Sequence, residues 1–122
     1  MSGRSSGLAL LVLCGCIVAA CARTAVVGGN RTLSVGLTEY RLKPDNARVS
    51  AGLVTIEVHN YGRLTHNLAV SSDGQTTAAT KPLWPGQSAT LSLALSPGHY
   101  QLASTLLSDQ ALGAYGTLTV TR

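Results

Sequence analysis

The sequence predicts an all-β protein, an antiparallel sandwich of two sheets with about seven strands, and three observations support this fold class. Apolar and polar residues alternate in several short segments, as in strands with one buried face. Turn-forming residues separate these segments at regular intervals. No segment has a sustained 3.6-residue period, and only 11% of the residues are charged. Such a composition suits short strands better than a helical bundle rich in Glu and Lys.

The first twenty residues are predicted to be a signal peptide. Arg4 precedes an apolar run over 8–20, which is typical of a secretion signal. Since a membrane-spanning helix needs roughly 20 apolar residues, this run is too short to span a bilayer. It ends in "VAAC", which resembles the lipobox of bacterial lipoproteins and marks Cys21 as the lipidated residue. Processing at Cys16, after "LCG", and an ordinary secretory signal are the alternatives.

Cleavage before Cys21 would remove every other sulfur atom of the chain. Cys14, Cys16 and Met1 leave with the signal peptide, and the thiol of Cys21 is capped by lipid. Acyl chains such as palmitate, each contributing about 0.8 kcal/mol per buried methylene, would hold the protein on the extracytoplasmic face of a bacterial cell membrane. Without a disulfide, the domain must be stabilised by core packing.

The mature chain divides into the lipidated Cys21 with a short glycine-containing tether, 21–31, and the sandwich, 32–122. Alternation predicts strands in order along the second region, around residues 33–37, 54–58, 68–70, 91–95, 100–102 and 118–120. Turn signals lie between them, "NYG" and "SPG" among others. The segment 106–114 has no alternation and is predicted to be an irregular loop or a single helical turn, a place where function often lies.

The charge pattern argues against a nucleic-acid partner. The formal net charge is +4, and removal of Arg4 leaves eight Lys and Arg against five Asp and Glu, a net charge of +3. These cations are scattered singly, so no run could neutralise successive phosphates. The predicted partners are the membrane surface, through the lipid anchor, and an unidentified protein of the cell envelope.

From about residue 38 to residue 120 the chain resembles the cupredoxins, the plastocyanin-like and azurin-like copper proteins. Three stretches carry the resemblance in the family's order: "VTIEVHNYGRLTHNLAV", "WPGQSATLSLALSPGHYQL" and "GAYGTLTV". The resemblance implies a Greek-key sandwich. It also implies a copper site at one end, formed by the start of one strand and one late loop.

The resemblance places the four ligand positions of a blue-copper site on this sequence, and three of them have changed. His66, in the dipeptide His66-Asn67, matches the first histidine. The cysteine position falls on Ser104, the second histidine on Asp109 and the methionine on Ala114. Because a blue site depends on its copper–thiolate bond, this ligand set predicts that the domain has no blue-copper site.

Two interpretations of the remaining residues stay open, and the first is that the domain has no cofactor. His66 would then be a buried imidazole hydrogen-bonded within the fold. The alternative is a weak, non-blue copper(II) or zinc site with His66 and Asp109 as ligands and His59 as a possible third.

The predicted function is a non-catalytic binding or structural module in a cell-envelope lipoprotein, with copper(II) handling as the alternative. Ser104, His66 and Asp109 also have the side-chain types of a hydrolytic site. No strained nucleophile turn accompanies Ser104, however, so the sequence favours a protein that is not an enzyme.

Overall fold

The computed structural model describes residues 23–122, so the predicted signal peptide and Cys21 lie outside the described residues. The described chain contains ten strands and no helix. They are β1 Ala25–Val26, β2 Thr32–Thr38, β3 Arg41–Lys43, β4 Asn46–Ser50, β5 Gly52–Asn60, β6 Ala69–Ser72, β7 Gln75–Ala79, β8 Ser88–Leu95, β9 Gly98–Ala103 and β10 Tyr115–Thr121. The segment 106–114 forms consecutive turns, as the sequence predicts.

The strands form two sheets, which confirms the predicted all-β sandwich. One sheet has six strands in the order β1-β4-β10-β9-β6-β7, and the other has four in the order β3-β2-β5-β8. Both sheets are mixed. The pairs β1–β4, β4–β10 and β2–β5 are parallel, and the remaining pairs are antiparallel.

The core lies between the sheets and is built by the alternation seen in the sequence. Every second residue of β2 is buried, as are Val54, Ile56 and Val58 of β5. From the six-stranded sheet, Leu102 and Leu118 are fully buried against them. These aliphatic side chains supply the main stabilisation, at about 25 cal/mol per Å² of apolar surface buried.

One end of the sandwich gathers the loops that concern function, and we call it the loop end. It comprises the β2–β3 turn with Glu39 and Tyr40, and the segments 61–68, 80–87 and 104–114. β5 and β9 run toward this end, and β8 and β10 start from it. The opposite end contains the β8–β9 turn.

The segment predicted as a tether contributes to the sheet. Ala25 and Val26 form β1, which pairs in parallel with Ala47 and Arg48 of β4. The boundary at residue 32 remains a prediction, but the chain is already ordered against the sandwich at residue 25. Over residues 23–122, no helix is both long enough and apolar enough to cross a bilayer.

Candidate metal site

His66 lies at the loop end, where backbone pairing fixes it just before β6. Its N–H donates to the carbonyl of Leu83 at 3.0 Å, and its own carbonyl accepts from the Leu83 N–H at 2.7 Å. This isolated bridge holds the His66 backbone at the loop end, where the residue is fully buried. A buried ring of this kind requires polar partners at both nitrogens.

Asp109 supplies the first of these partners. The turns of segment 104–114 bring its carboxylate inward: the Asp109 N–H donates to the Leu106 carbonyl, and the Asp109 carbonyl accepts from the Ala114 N–H. Asp109 Oδ2 lies 2.7 Å from His66 Nδ1 and 2.6 Å from Ser104 Oγ. Three of the four positions assigned from the resemblance therefore converge on one carboxylate oxygen.

Glu39 supplies the second partner, from the β2–β3 turn. Its Oε1 lies 3.2 Å from His66 Nε2 and accepts the backbone N–H groups of Arg63 and Leu64 at 2.6 and 2.8 Å. The Leu64 hydrogen bond is the main cause that lowers the pKa of Glu39 from 4.5 to about 2, with further contributions from Arg63 and His66. Glu39 is therefore ionised at neutral pH.

Two asparagines hold this arrangement in place. Asn67 Oδ1 accepts from the Thr105 N–H at 2.7 Å, which ties the segment containing His66 to the 104–114 segment. Asn60 is fully buried, and its Nδ2 donates to the carbonyls of Leu64 and Leu83, each at 2.8 Å. Throughout residues 23–122, every buried side-chain nitrogen and oxygen has a hydrogen-bond partner.

The electrostatics of this cluster favour a cation. Two carboxylates flank one imidazole, and both ring nitrogens face carboxylate oxygens, so both act as donors when the ring is protonated. Ser104 Oγ donates a second hydrogen bond to Asp109 Oδ2. A divalent ion that replaced the imidazole proton at Nδ1 would be attracted by two negative charges in a largely buried site.

The structure brings together some of the sequence-predicted residues and separates others. His59 lies on the outer face of β5, where its Nδ1 contacts Ser88 Oγ, so it does not join the pair of His66 and Asp109. Ala114 is buried beside the site and contributes only backbone groups. Glu39 was missed. It is 27 residues from His66, and no local motif signals the contact.

The described chain contains no group of three or more His, Cys, Asp or Glu side chains placed to hold a metal ion. Ser104 Oγ donates to Asp109 rather than to an imidazole, so these residues do not form a nucleophile–base relay. To a metal ion, the arrangement offers one imidazole nitrogen and neighbouring oxygen atoms as ligands.

The fold and the position of this site define a cupredoxin-like domain. An auracyanin from the photosynthetic bacterium Roseiflexus castenholzii is 22% identical, with a TM-score of 0.71 over 78% of this chain and 100% of that one. Auracyanin A, the blue copper protein of Chloroflexus aurantiacus, is 17% identical, with a TM-score of 0.65 over 80% of this chain and 100% of its own. Rusticyanin from Thiobacillus ferrooxidans is 13% identical, with a TM-score of 0.66 over 80% and 82%. No family profile and no curated protein sequence matches the chain.

These neighbours contradict the prediction that the domain has no cofactor. Auracyanin A and rusticyanin, which have the same fold, are copper proteins. The residues at the site do not fit a blue centre, because residues 23–122 contain neither cysteine nor methionine. The donor types of His66 and Asp109 fit copper(II), which accepts imidazole and carboxylate ligands.

Proposed function

We propose that this protein is a non-catalytic, lipid-anchored cell-envelope lipoprotein whose cupredoxin-like domain binds copper(II) in a non-blue site. His66 Nδ1 and the Asp109 carboxylate are the protein ligands, and water completes the coordination shell. The observation that carries the proposal is the 2.7 Å approach of His66 Nδ1 to Asp109 Oδ2, at the end of a sandwich shared with copper proteins.

Each residue of the cluster has a distinct part in this function. Bound copper(II) would supply a Lewis-acidic or slowly reducible centre, without the thiolate needed for rapid electron transfer. Glu39 orients the imidazole through Nε2, which leaves Nδ1 directed at the site. Ser104 holds the Asp109 carboxylate in position.

Copper(II) titration of the mature lipoprotein in detergent tests the metal site. We expect uptake of one equivalent, a tetragonal electron paramagnetic resonance signal and no intense visible thiolate band. His66→Gln and Asp109→Asn should each weaken uptake by at least about tenfold. His99→Gln is the matched control, because His99 is an exposed imidazole on β9, toward the opposite end. Uptake that persists in His66→Gln would contradict the proposal.

Lipidation at Cys21 has its own test. The "VAAC" motif supports lipidation at Cys21. We therefore expect the mature protein to carry a diacylglycerol thioether, which mass spectrometry should locate on its first residue. Cys21→Ser should retain the leader and lose the lipid, whereas Cys16→Ser should be processed normally. Lipid found on Cys16 would show that processing occurs before Cys16, which would contradict lipidation at Cys21.

A further inference from the structure

We infer that the loop end of the sandwich lies on the bilayer surface in the lipidated protein, with Tyr40, Leu112 and Tyr115 at the boundary between headgroups and acyl chains. This inference rests on the lipidation of Cys21 proposed above. It adds an orientation: the copper-site end faces the membrane, and the β8–β9 turn faces away from it.

The direction of β1 carries the first step. β1 is parallel to β4, and β4 is parallel to β10, which starts at the loop end with Tyr115. The chain therefore enters the sandwich at the loop end. Arg23 lines a surface groove there together with Tyr40, Leu112 and Tyr115.

The length of the connection carries the second step. Cys21 precedes Arg23 by two residues, and two residues span at most about 7 Å of extended chain. A lipid on Cys21 would therefore be attached within about 7 Å of the Arg23 backbone, at the edge of this groove. An anchor this short keeps the loop end close to the headgroups.

The chemistry of the surface carries the third step. Leu112, Tyr115 and Tyr40 are 55%, 52% and 40% exposed, and Leu107 is fully exposed nearby on the 104–114 segment. Tyrosine favours the membrane–water interface, because its ring is apolar and its hydroxyl is polar.

Cations accompany these side chains. Arg23, Arg41 and Lys43 line the same groove, with Asp45 as the acidic residue among its lining. This excess of positive charge complements anionic headgroups. Apolar insertion and headgroup attraction therefore act on the same face.

Site-specific fluorescence quenching tests this orientation. The full-length protein is produced with its leader, purified as the mature lipoprotein and reconstituted into vesicles of phosphatidylethanolamine and phosphatidylglycerol that contain nitroxide-labelled lipid. Ala111→Cys places a thiol-reactive fluorophore beside Leu112, and Ser96→Cys places it on the β8–β9 turn as the matched control. We expect quenching at residue 111 to exceed that at residue 96 by at least about threefold.

The outcomes separate the inference from the proposed function. Equal quenching at the two positions, with lipid found on Cys21 by intact mass, would overturn the orientation and leave the lipoprotein intact. Mature protein without lipid on Cys21 would overturn both the orientation and the proposed lipid anchor. Leu112→Asp should reduce quenching at residue 111 while lipidation is unchanged, and no reduction would refute insertion of this side chain.

Discussion

At the scale of single residues, the site depends on polar side chains that hold one another in place. His66 contacts Asp109 on one side and Glu39 on the other, and each carboxylate is fixed by further hydrogen bonds. Since burial of an unpartnered polar group is costly, removal of one member should affect the rest.

Glu39 should make stability depend on pH in the acid range. Its pKa is about 2 in the folded protein against an ordinary 4.5, so the folded state binds the proton more weakly than the unfolded state. The stabilisation is therefore complete above pH 4.5 and is lost as the pH falls toward 2. In urea unfolding of metal-free protein, Glu39→Gln should show a flatter pH dependence across this window. An equally steep dependence in the variant would assign the effect to another group.

Asn60 should be one of the most sensitive polar residues of the domain. Its amide donates to two carbonyls, and its Oδ1 accepts the Gly62 N–H at 2.7 Å. Asn60→Leu would remove all three hydrogen bonds from a fully buried position, and the Leu64 carbonyl and the Gly62 N–H would lose this partner, so the free energy of unfolding should fall by about 3 kcal/mol. Chemical denaturation measures this loss. Gln75→Leu, on an exposed strand position, should change stability by less than about 0.5 kcal/mol.

At the scale of elements, alternation predicted the long strands and missed short or polar ones. β2, β5, β8, β9 and β10 each contain an alternating segment recognised in the sequence. β3 has only three residues, and β7 is polar and mostly exposed, so neither gives a period-two signal. Parallel pairing was missed too, because alternation reports which face is buried and carries no information on the direction of the neighbouring strand.

The same limit applies to the site. The proximity of His66, Ser104 and Asp109 was predictable only through the family resemblance, since 38 residues separate His66 from Ser104. Glu39 and Asn60 were not predicted at all. The "NYG" motif correctly indicated a turn. It did not indicate the hydrogen bond from the buried Asn60 amide to the Leu83 carbonyl, because that carbonyl is 23 residues away in the sequence.

Gly116 marks where two elements pass too closely for a side chain. A Cβ at this position of β10 would overlap the backbone carbonyl of Asp45, next to β4. Because backbone cannot move aside as a flexible side chain can, Gly116→Ala should destabilise the fold by about 3 kcal/mol. Thermal unfolding measures this loss. Gly29→Ala, which would meet nothing within 4 Å, is the control and should leave the unfolding midpoint nearly unchanged.

At the scale of the whole molecule, the scaffold and the ligand set are separable. The sandwich fold is shared with a blue copper protein, whereas residues 23–122 contain no cysteine or methionine that could supply a thiolate or thioether ligand. The core lies between the sheets and the ligand positions lie at their end, so ligand types can change while the core is kept.

This separation predicts that a blue centre can be rebuilt. Ser104 and Asp109 already converge within 2.6 Å, and Ala114 closes the same segment by accepting the Ser104 N–H. Ser104→Cys, Asp109→His and Ala114→Met together would supply a thiolate, a second imidazole and an axial thioether around His66. With copper(II), the triple variant should develop an intense visible thiolate band. The double variant that keeps Ser104 should bind copper without that band, because the band originates in the copper–thiolate bond. A colourless triple variant that binds copper and unfolds at the same temperature as the native domain would mean that the 104–114 segment does not place its ligands as cupredoxins do.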